Sequence, residues 1–200
     1  MNISINNIED KIRLFCDAFG DSEKTAREFF SCKDIITVIE YVGDRLAAMA
    51  SLIPIHAENG VCCQLEQMAS IRRNNCGYYI YGVCVDKKFR GMGLFRSVME
   101  KAEDKALGND ADFVCLIPAD ESLAATYYKW GYDIEILNVD ESPYVDKRIF
   151  IDSVDFRNFA IPAIDVGECR RMYGLMKVLN KKIFSPDNRN FAFGDHMGDI

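Results

Sequence analysis

Histidine is almost absent from this sequence, with two in 200 residues, His56 and His196. The eight cysteines stand at positions 16, 32, 62, 63, 76, 84, 115 and 169, and none is spaced C-x-x-C. Zinc modules and disulfide frameworks need paired spacings of these residues, so neither is expected, and no metal site is read. Most cysteines lie in apolar strings, such as Cys84 in GVCVD and Cys115 in FVCLI. A thiol there packs as a small apolar group, and free thiols fit a reducing cytoplasm. No apolar run approaches the roughly 18 residues of a membrane-spanning helix. Residues 1–7 are polar and short, unlike a basic-then-apolar leader. A basic surplus is missing too: the net charge of -7 argues against nucleic-acid phosphates as partners and mildly favours cationic substrates.

What is present is an ordinary globular composition. Apolar residues make up 49% of the chain, enough for one sizeable core. Residues 2–5 read as a short edge strand. Ile8, Ile12, Phe15 and Phe19 recur at helical spacing until Gly20 breaks the pattern. Asp21 or Ser22 can cap a second helix with Ala26, Phe29 and Phe30 on its apolar face. Two apolar strands, 35–42 and 46–55, are joined by a tight turn at Gly43 and Asp44, a hairpin pattern. A further strand is expected at 62–71, with Gln64, Glu66 and Gln67 as its polar members, then a polar loop at 72–77.

The centre of the chain is YYIYGVCVDKKFRGMGLFRSVMEKAEDKAL, residues 78–107. Strand signals fill 78–85 and turn signals 86–93. From Leu94 onward, Leu94, Val98, Ala102 and Ala106 have helical spacing, with Phe95 and Met99 beside them. A glycine-containing turn that opens a helix leaves backbone N–H groups unpaired, and the helix dipole favours an anion there. Arg90 adds a fixed positive charge. Residues 112–117 form a short apolar run ended by Pro118, a buried-strand pattern. Strand, crossover helix and strand then make a βαβ unit with parallel strands. A helix over 121–130 stops at Gly131. Strands follow at 132–139 and 147–151, and the second is expected to pair with the first. Residues 170–179 read as helix or strand, with Gly174 weakening both, and Phe191 and Phe193 are the apolar anchors of the tail.

The anion turn excludes two common loops by residue. A nucleotide P-loop needs Lys-Ser/Thr after its last glycine, whereas Gly93 is followed by Leu94 and Phe95. The dinucleotide pattern G-x-G-x-x-G is broken because Gly91-Met92-Gly93-Leu94-Phe95 ends in Arg96. The turn does match R-x-x-G-x-(G/A) after a strand ending V-x-V-D, here Arg90 to Phe95 after Val83-Cys84-Val85-Asp86. In this it resembles the acyl-CoA loop of the GCN5-related N-acetyltransferases (GNAT). Tyr127-Tyr128-Lys129-Trp130-Gly131-Tyr132 is similar to the family's F-Y-x-K-x-G-F string, and the predicted elements fall in the family order over most of the chain. Three further strings resemble a bacterial branch related to the enhanced-intracellular-survival type acetyltransferases: Phe19-Gly20-Asp21 followed by Phe29-Phe30, Ile117-Pro118-Ala119, and Arg171-Met172-Tyr173-Gly174-Leu175.

The resemblance implies acetyl-CoA as co-substrate. Val83, Cys84 and Val85 would line the pantetheine arm where a bulge near Val85 splays the parallel strands. Arg90, Gly91, Met92, Gly93, Leu94 and Phe95 would hold the diphosphate. Phe95 stands where the family has Gly or Ala, and a side chain turned into the core would clear the phosphate. Asp120 stands where many members have Asn. Tyr127 falls at the catalytic tyrosine position, as proton donor to the leaving thiolate. The same residue reads as plain core, since Leu123, Tyr127 and Trp130 share one helical face. For the general base, Glu66, a water chain and the terminal carboxylate of Ile200 remain open. Cys84 reads as packing, since no nearby histidine would activate it, and His56 as a loop residue.

The expected fold is α/β, a mixed, mostly antiparallel central sheet with a parallel splayed strand pair flanked by helices, plus a C-terminal appendage. Residues 1–152 would form the acyltransferase domain and 153–200 an extension packed on it. The expected function is acetyl transfer to a primary amine of a small molecule or peptide, by direct attack in a ternary complex. A catalytically silent acyl-CoA-binding module is the alternative. Expected partners are the amine and, as an open option, a second copy in a homodimer, with neither nucleic acid nor membrane.

Overall fold

Two short helices lead into the sheet. The computed structural model describes residues 8–59, 75–137, 147–152, 174–180 and 191–193. Helix α1 (Ile8–Phe19) buries Ile12, Leu14 and Phe15 but leaves Phe19 at 48% exposure. Helix α2 (Glu23–Ser31) is capped by Ser22, whose Oγ accepts a hydrogen bond from the Thr25 N–H at 3.1 Å. Of the two cap candidates, Ser22 is therefore the one used. Phe15 and Phe29 stack at 5.5 Å and hold the helices together.

The expected hairpin is present as β1 (Ile36–Val42) and β2 (Arg45–Asn59), and β3 (Asn75–Val85) runs antiparallel to β2. Strand β3 therefore begins inside the segment read as polar loop. Asn75 is held there by Asp112, whose Oδ2 accepts from the Asn75 amide at 3.3 Å and from the Cys76 N–H at 3.3 Å. Helix α3 (Leu94–Gly108) returns the chain to β4 (Phe113–Leu116), parallel to β3, which is the βαβ unit read from the sequence. Helix α4 (Glu121–Lys129) and strands β5 (Ile134–Leu137), β6 (Lys147–Ile151), β7 (Gly174–Val178) and β8 (Phe191–Phe193) complete the described elements.

The strand order is β1-β2-β3-β4-β7-β5-β8-β6, and β6 pairs in addition with the far half of β2. The sheet is mixed and mostly antiparallel, as expected. Long-range order differs from expectation in three places. Strand β6 does not pair with β5; it lies between β2 and β8. Residues 174–178, open between helix and strand, are a strand inserted between β4 and β5 and antiparallel to both. Phe191–Phe193 form β8, parallel to both β5 and β6, so the splayed pair is not the only parallel one. Gly174 suits its place by bulk: a Cβ there would stand 2.9 Å from the Phe193 ring and 3.0 Å from the Leu116 carbonyl.

Side chains alternate across β2. Met49, Ile53, Ile55 and Ala57 pack into one core with α1 and α2, while Ala48, Ala50 and Leu52 pack into another with α3 and α4. The expected strands at 2–5 and 62–71, Glu66 with them, and the carboxyl end at Ile200 lie outside the described residues.

Candidate active site

Strand β3 carries one residue more than β2 can match. Met49 faces Cys84 and Ser51 faces Tyr81, so Gly82 and Val83 share the position opposite Ala50. Gly82 adopts φ +62°, a conformation that suits glycine in a bulge. The bulge thus sits before Val83 and not near Val85. Beyond it, the Asp86 N–H donates to the Ala47 carbonyl at 2.8 Å. Main-chain groups alternate edges along a strand, so Cys84 also faces β2, and Val83 and Val85 direct theirs to the opposite edge. Strand β4 does not fill that edge. Its register with β3 covers Gly77, Tyr78 and Tyr79 only, against Phe113, Val114 and Cys115. The parallel strands part there, leaving a cleft flanked by polar backbone.

The cleft leads to the start of α3. Asp86 caps a single 3-10 turn (Lys87–Phe89) by accepting from the Lys88 N–H at 3.0 Å. Its other oxygen receives Arg45 Nε at 2.8 Å and Arg13 Nη1 at 3.5 Å. The Lys88 amide first, then the arginines, hold this carboxyl below the usual range. Arg90 is extended and exposed. Gly93 is the N-cap of α3 at φ +77° with no side-chain cap, and the first helical bond runs from the Ser97 N–H to the Gly93 carbonyl at 3.1 Å. The amides of Leu94, Phe95 and Arg96 precede that bond and have no helical acceptor. A Cβ on Gly91 or Gly93 would meet nothing within 4 Å, so the mouth of the turn is open.

Phe95 does not crowd that mouth. Its ring turns inward, 6.0 Å from the Tyr127 ring and 5.5 Å from Trp130. Tyr127 is 5% exposed and also meets Tyr132 at 5.5 Å and Trp130 at 6.0 Å. Val83, Val85, Leu94 and Phe95 flank the same buried cluster as Tyr127. The structure thus brings the strand end, the loop and the tyrosine together. Burial raises the Tyr127 phenol far above its ordinary value, and the nearby Asp120 charge adds to this.

Residues 7–132, more than half of the chain, match the model of the acetyltransferase (GNAT) family. The chain belongs to that family.

Among solved structures, the GNAT-family member is similar to the N-acetyltransferase YhbS of Escherichia coli in complex with CoA. Identity is 11%, with 96% of this chain and 86% of that one covered, at a TM-score of 0.55. It is also similar to the ribosomal-protein-S18-alanine N-acetyltransferase of Escherichia coli, at 12% identity, covering 91% and 96%, with a TM-score of 0.50. At these identities the likeness concerns the fold. A probable N-acyltransferase of Enterococcus faecalis V583 matches at 14% identity and a TM-score of 0.49 over 62% of this chain, which spans 29% of that longer protein. No curated protein matches this sequence. Among the described residues, no helix is long and apolar enough to cross a membrane.

Three other candidates in this GNAT chain have structural roles. Asp120 caps α4: its Oδ1 accepts from the Ser122 hydroxyl at 2.7 Å and the Leu123 N–H at 2.8 Å, which together keep its carboxyl low. Cys84 is buried, and burial pushes its thiol up to about 12. His56 is no loop residue. It lies in β2, its Nδ1 is 2.5 Å from Asp152 Oδ1, and its ring stacks on Phe150 at 5.6 Å, so it ties β2 to the end of β6.

One feature went unread in the sequence. Tyr81, just before the bulge, joins Phe29 at 5.3 Å, Tyr79 at 5.9 Å and Phe15 at 6.2 Å in an aromatic wall on the α1–α2 side. Burial, with Asp21 second, raises its phenol to about 12. The clue was Gly82 inside a strand pattern, which marks a bulge or a close approach: a Cβ there would lie 3.0 Å from the Phe15 ring.

Proposed function

We propose that this GNAT-family chain is an acetyl-CoA-dependent N-acetyltransferase acting on a primary amine. One observation carries the reading: the unfilled edge at Val83 and Val85 runs directly to the open N-terminus of α3. A pantetheine arm can pair with the first, and a diphosphate can sit on the amides of Leu94, Phe95 and Arg96, with Arg90 beside it. The thioester supplies the acetyl group.

The chain's own groups then have distinct tasks. An N–H at the bulge, near Val83, donates to the thioester oxygen as charge grows on it. The neutral amine attacks the carbonyl carbon, the C–S bond breaks, and the thiolate takes a proton from the Tyr127 hydroxyl. The proton shed by the amine passes to Glu66 or to water. The aromatic wall at Tyr81 favours an amine with an apolar body. The compartment of this reading is the cytoplasm.

Thiol release from acetyl-CoA across a panel of amines tests the function. Release with at least one amine is expected. Calorimetric binding of CoA with no release from any amine would instead favour the silent binding module. Tyr127→Phe is expected to slow turnover by about 10- to 100-fold with CoA affinity unchanged; undiminished turnover removes Tyr127 as the acid.

A further inference from the structure

We propose that Phe95 is a positioning residue that couples filling of the diphosphate turn to the placement of the Tyr127 phenol. The inference rests on the proposed transfer reaction and on Tyr127 as its acid.

Tyr127 is oriented by packing. No described residue hydrogen-bonds its hydroxyl, so ring contacts set where the phenol points. Two of them, Trp130 and Tyr132, come from the segment that follows Tyr127 itself. The Trp130 N–H donates to the Tyr127 carbonyl at 2.9 Å and the Tyr132 N–H at 3.1 Å, so both rings travel with the end of α4. The third is Phe95, the second residue of α3. Among the described residues it is the one ring that meets Tyr127 from α3. Tyr132 also reaches α3, through its hydroxyl to Glu103 at 2.9 Å, but two turns further along the helix.

Phe95 therefore has two contacts of different kinds on one residue. Its amide is among the three that face an incoming diphosphate, and its ring bears on the acid. An anion that draws the first turn of α3 towards itself shifts the Phe95 ring relative to Tyr127 and Trp130. A small residue at this position, as in the family pattern, would leave that side of the phenol unsupported. A proton donor must lie within hydrogen-bond reach of the sulfur, and misplacement of about 1 Å can cost on the order of 100-fold in rate.

The test uses Phe95→Ala, Phe95→Leu and Phe95→Tyr in the full chain. Phe95 is half-buried, so the hydroxyl of the tyrosine variant can reach water. Phe95→Ala is expected to lower kcat by about 10-fold while the calorimetric Kd for CoA stays within about threefold, because the phosphate contacts are backbone amides. Phe95→Leu, which keeps apolar bulk if the alanine variant fails to fold, should lose kcat in the same way, whereas Phe95→Tyr, which keeps the ring, should retain it. Adding Phe95→Ala to Tyr127→Phe should cost nothing further, since both act through one phenol.

A readout free of activity comes from Trp130, the single tryptophan of the chain. CoA should change its emission in the native protein and leave it unchanged in Phe95→Ala or Phe95→Leu. Native emission indifferent to bound CoA, or an equal response in the variants, overturns the coupling. So does an unchanged kcat in Phe95→Ala, or an additive loss in the double variant. If Tyr127→Phe keeps full turnover, the acid assignment has failed; if it slows turnover and Phe95→Ala does not, only the present inference has.

Discussion

Arg45 Nε lies 2.8 Å from Asp86 Oδ2, tying the first residue of β2 to the residue that follows β3. Arg13 of α1 reaches the same oxygen at 3.5 Å and the Leu46 carbonyl at 3.2 Å. The bulged end of β3 is thereby clamped to the hairpin and to α1.

This clamp has a pH signature. The folded carboxyl of Asp86 sits below its unfolded value of about 3.9. Its stabilisation is therefore complete above about pH 4 and is lost as pH falls through the lower folded value. Asp86→Asn keeps an acceptor for Lys88 but loses the charge. It is expected to cost about 1 kcal/mol at pH 7. Urea unfolding curves of variant and parent should draw together as the pH falls below about 4. A gap that persists in acid would contradict the clamp.

Gly82→Ala combines strain with collision. The φ of +62° costs an L-residue about 1–2 kcal/mol, and the added methyl would press on the Phe15 ring at 3.0 Å. A fall in thermal midpoint and a larger loss in kcat than in CoA affinity are expected. Melting curves and thiol release on the same preparation measure both.

Gly93→Ala separates the two effects. The strain is of the same kind at φ +77°, but nothing lies within 4 Å of the new Cβ. The stability cost should stop at about 1 kcal/mol. CoA affinity should fall by about tenfold, because the methyl stands at the mouth of the turn. Calorimetry with CoA beside urea unfolding distinguishes this from general destabilisation.

Cys84 should be chemically silent. With its thiol raised to about 12, the thiolate fraction at pH 8 is on the order of one in ten thousand. Iodoacetamide should leave Cys84 unlabelled in the folded protein, and Cys84→Ala should keep turnover within about threefold. Acetylated Cys84 in intact-mass spectra after incubation with acetyl-CoA alone would sink direct transfer.

The elements that were legible in the sequence are those with local causes. The hairpin followed from apolar runs around Gly43 and Asp44, and the β3–α3 unit from strand residues, two glycines and a helical stripe. The inward turn of Phe95 followed from the family pattern read against the available space. What stayed hidden is long-range. Nothing near Lys147 to Ile151 tells that β8 stands between them and β5. Nothing near Gly174 tells that the Phe193 ring and the Leu116 carbonyl demand a glycine there. The bulge is legible at Gly82, a glycine inside a strand pattern, whereas the V-x-V-D motif points to Val85.

Strand β7 has a consequence for the timing of folding. It lies between β4 and β5, so neither gains this neighbour until residues 174–178 have left the ribosome. The nascent chain must hold a half-built sheet with an open edge at Phe113 to Leu116 while dozens of further residues are made. Such late, distant closure slows folding and exposes strand edges to wrong partners. A fragment cut at residue 152, the expected end of the acyltransferase domain, would keep every proposed CoA contact and still be trapped in that unfinished state.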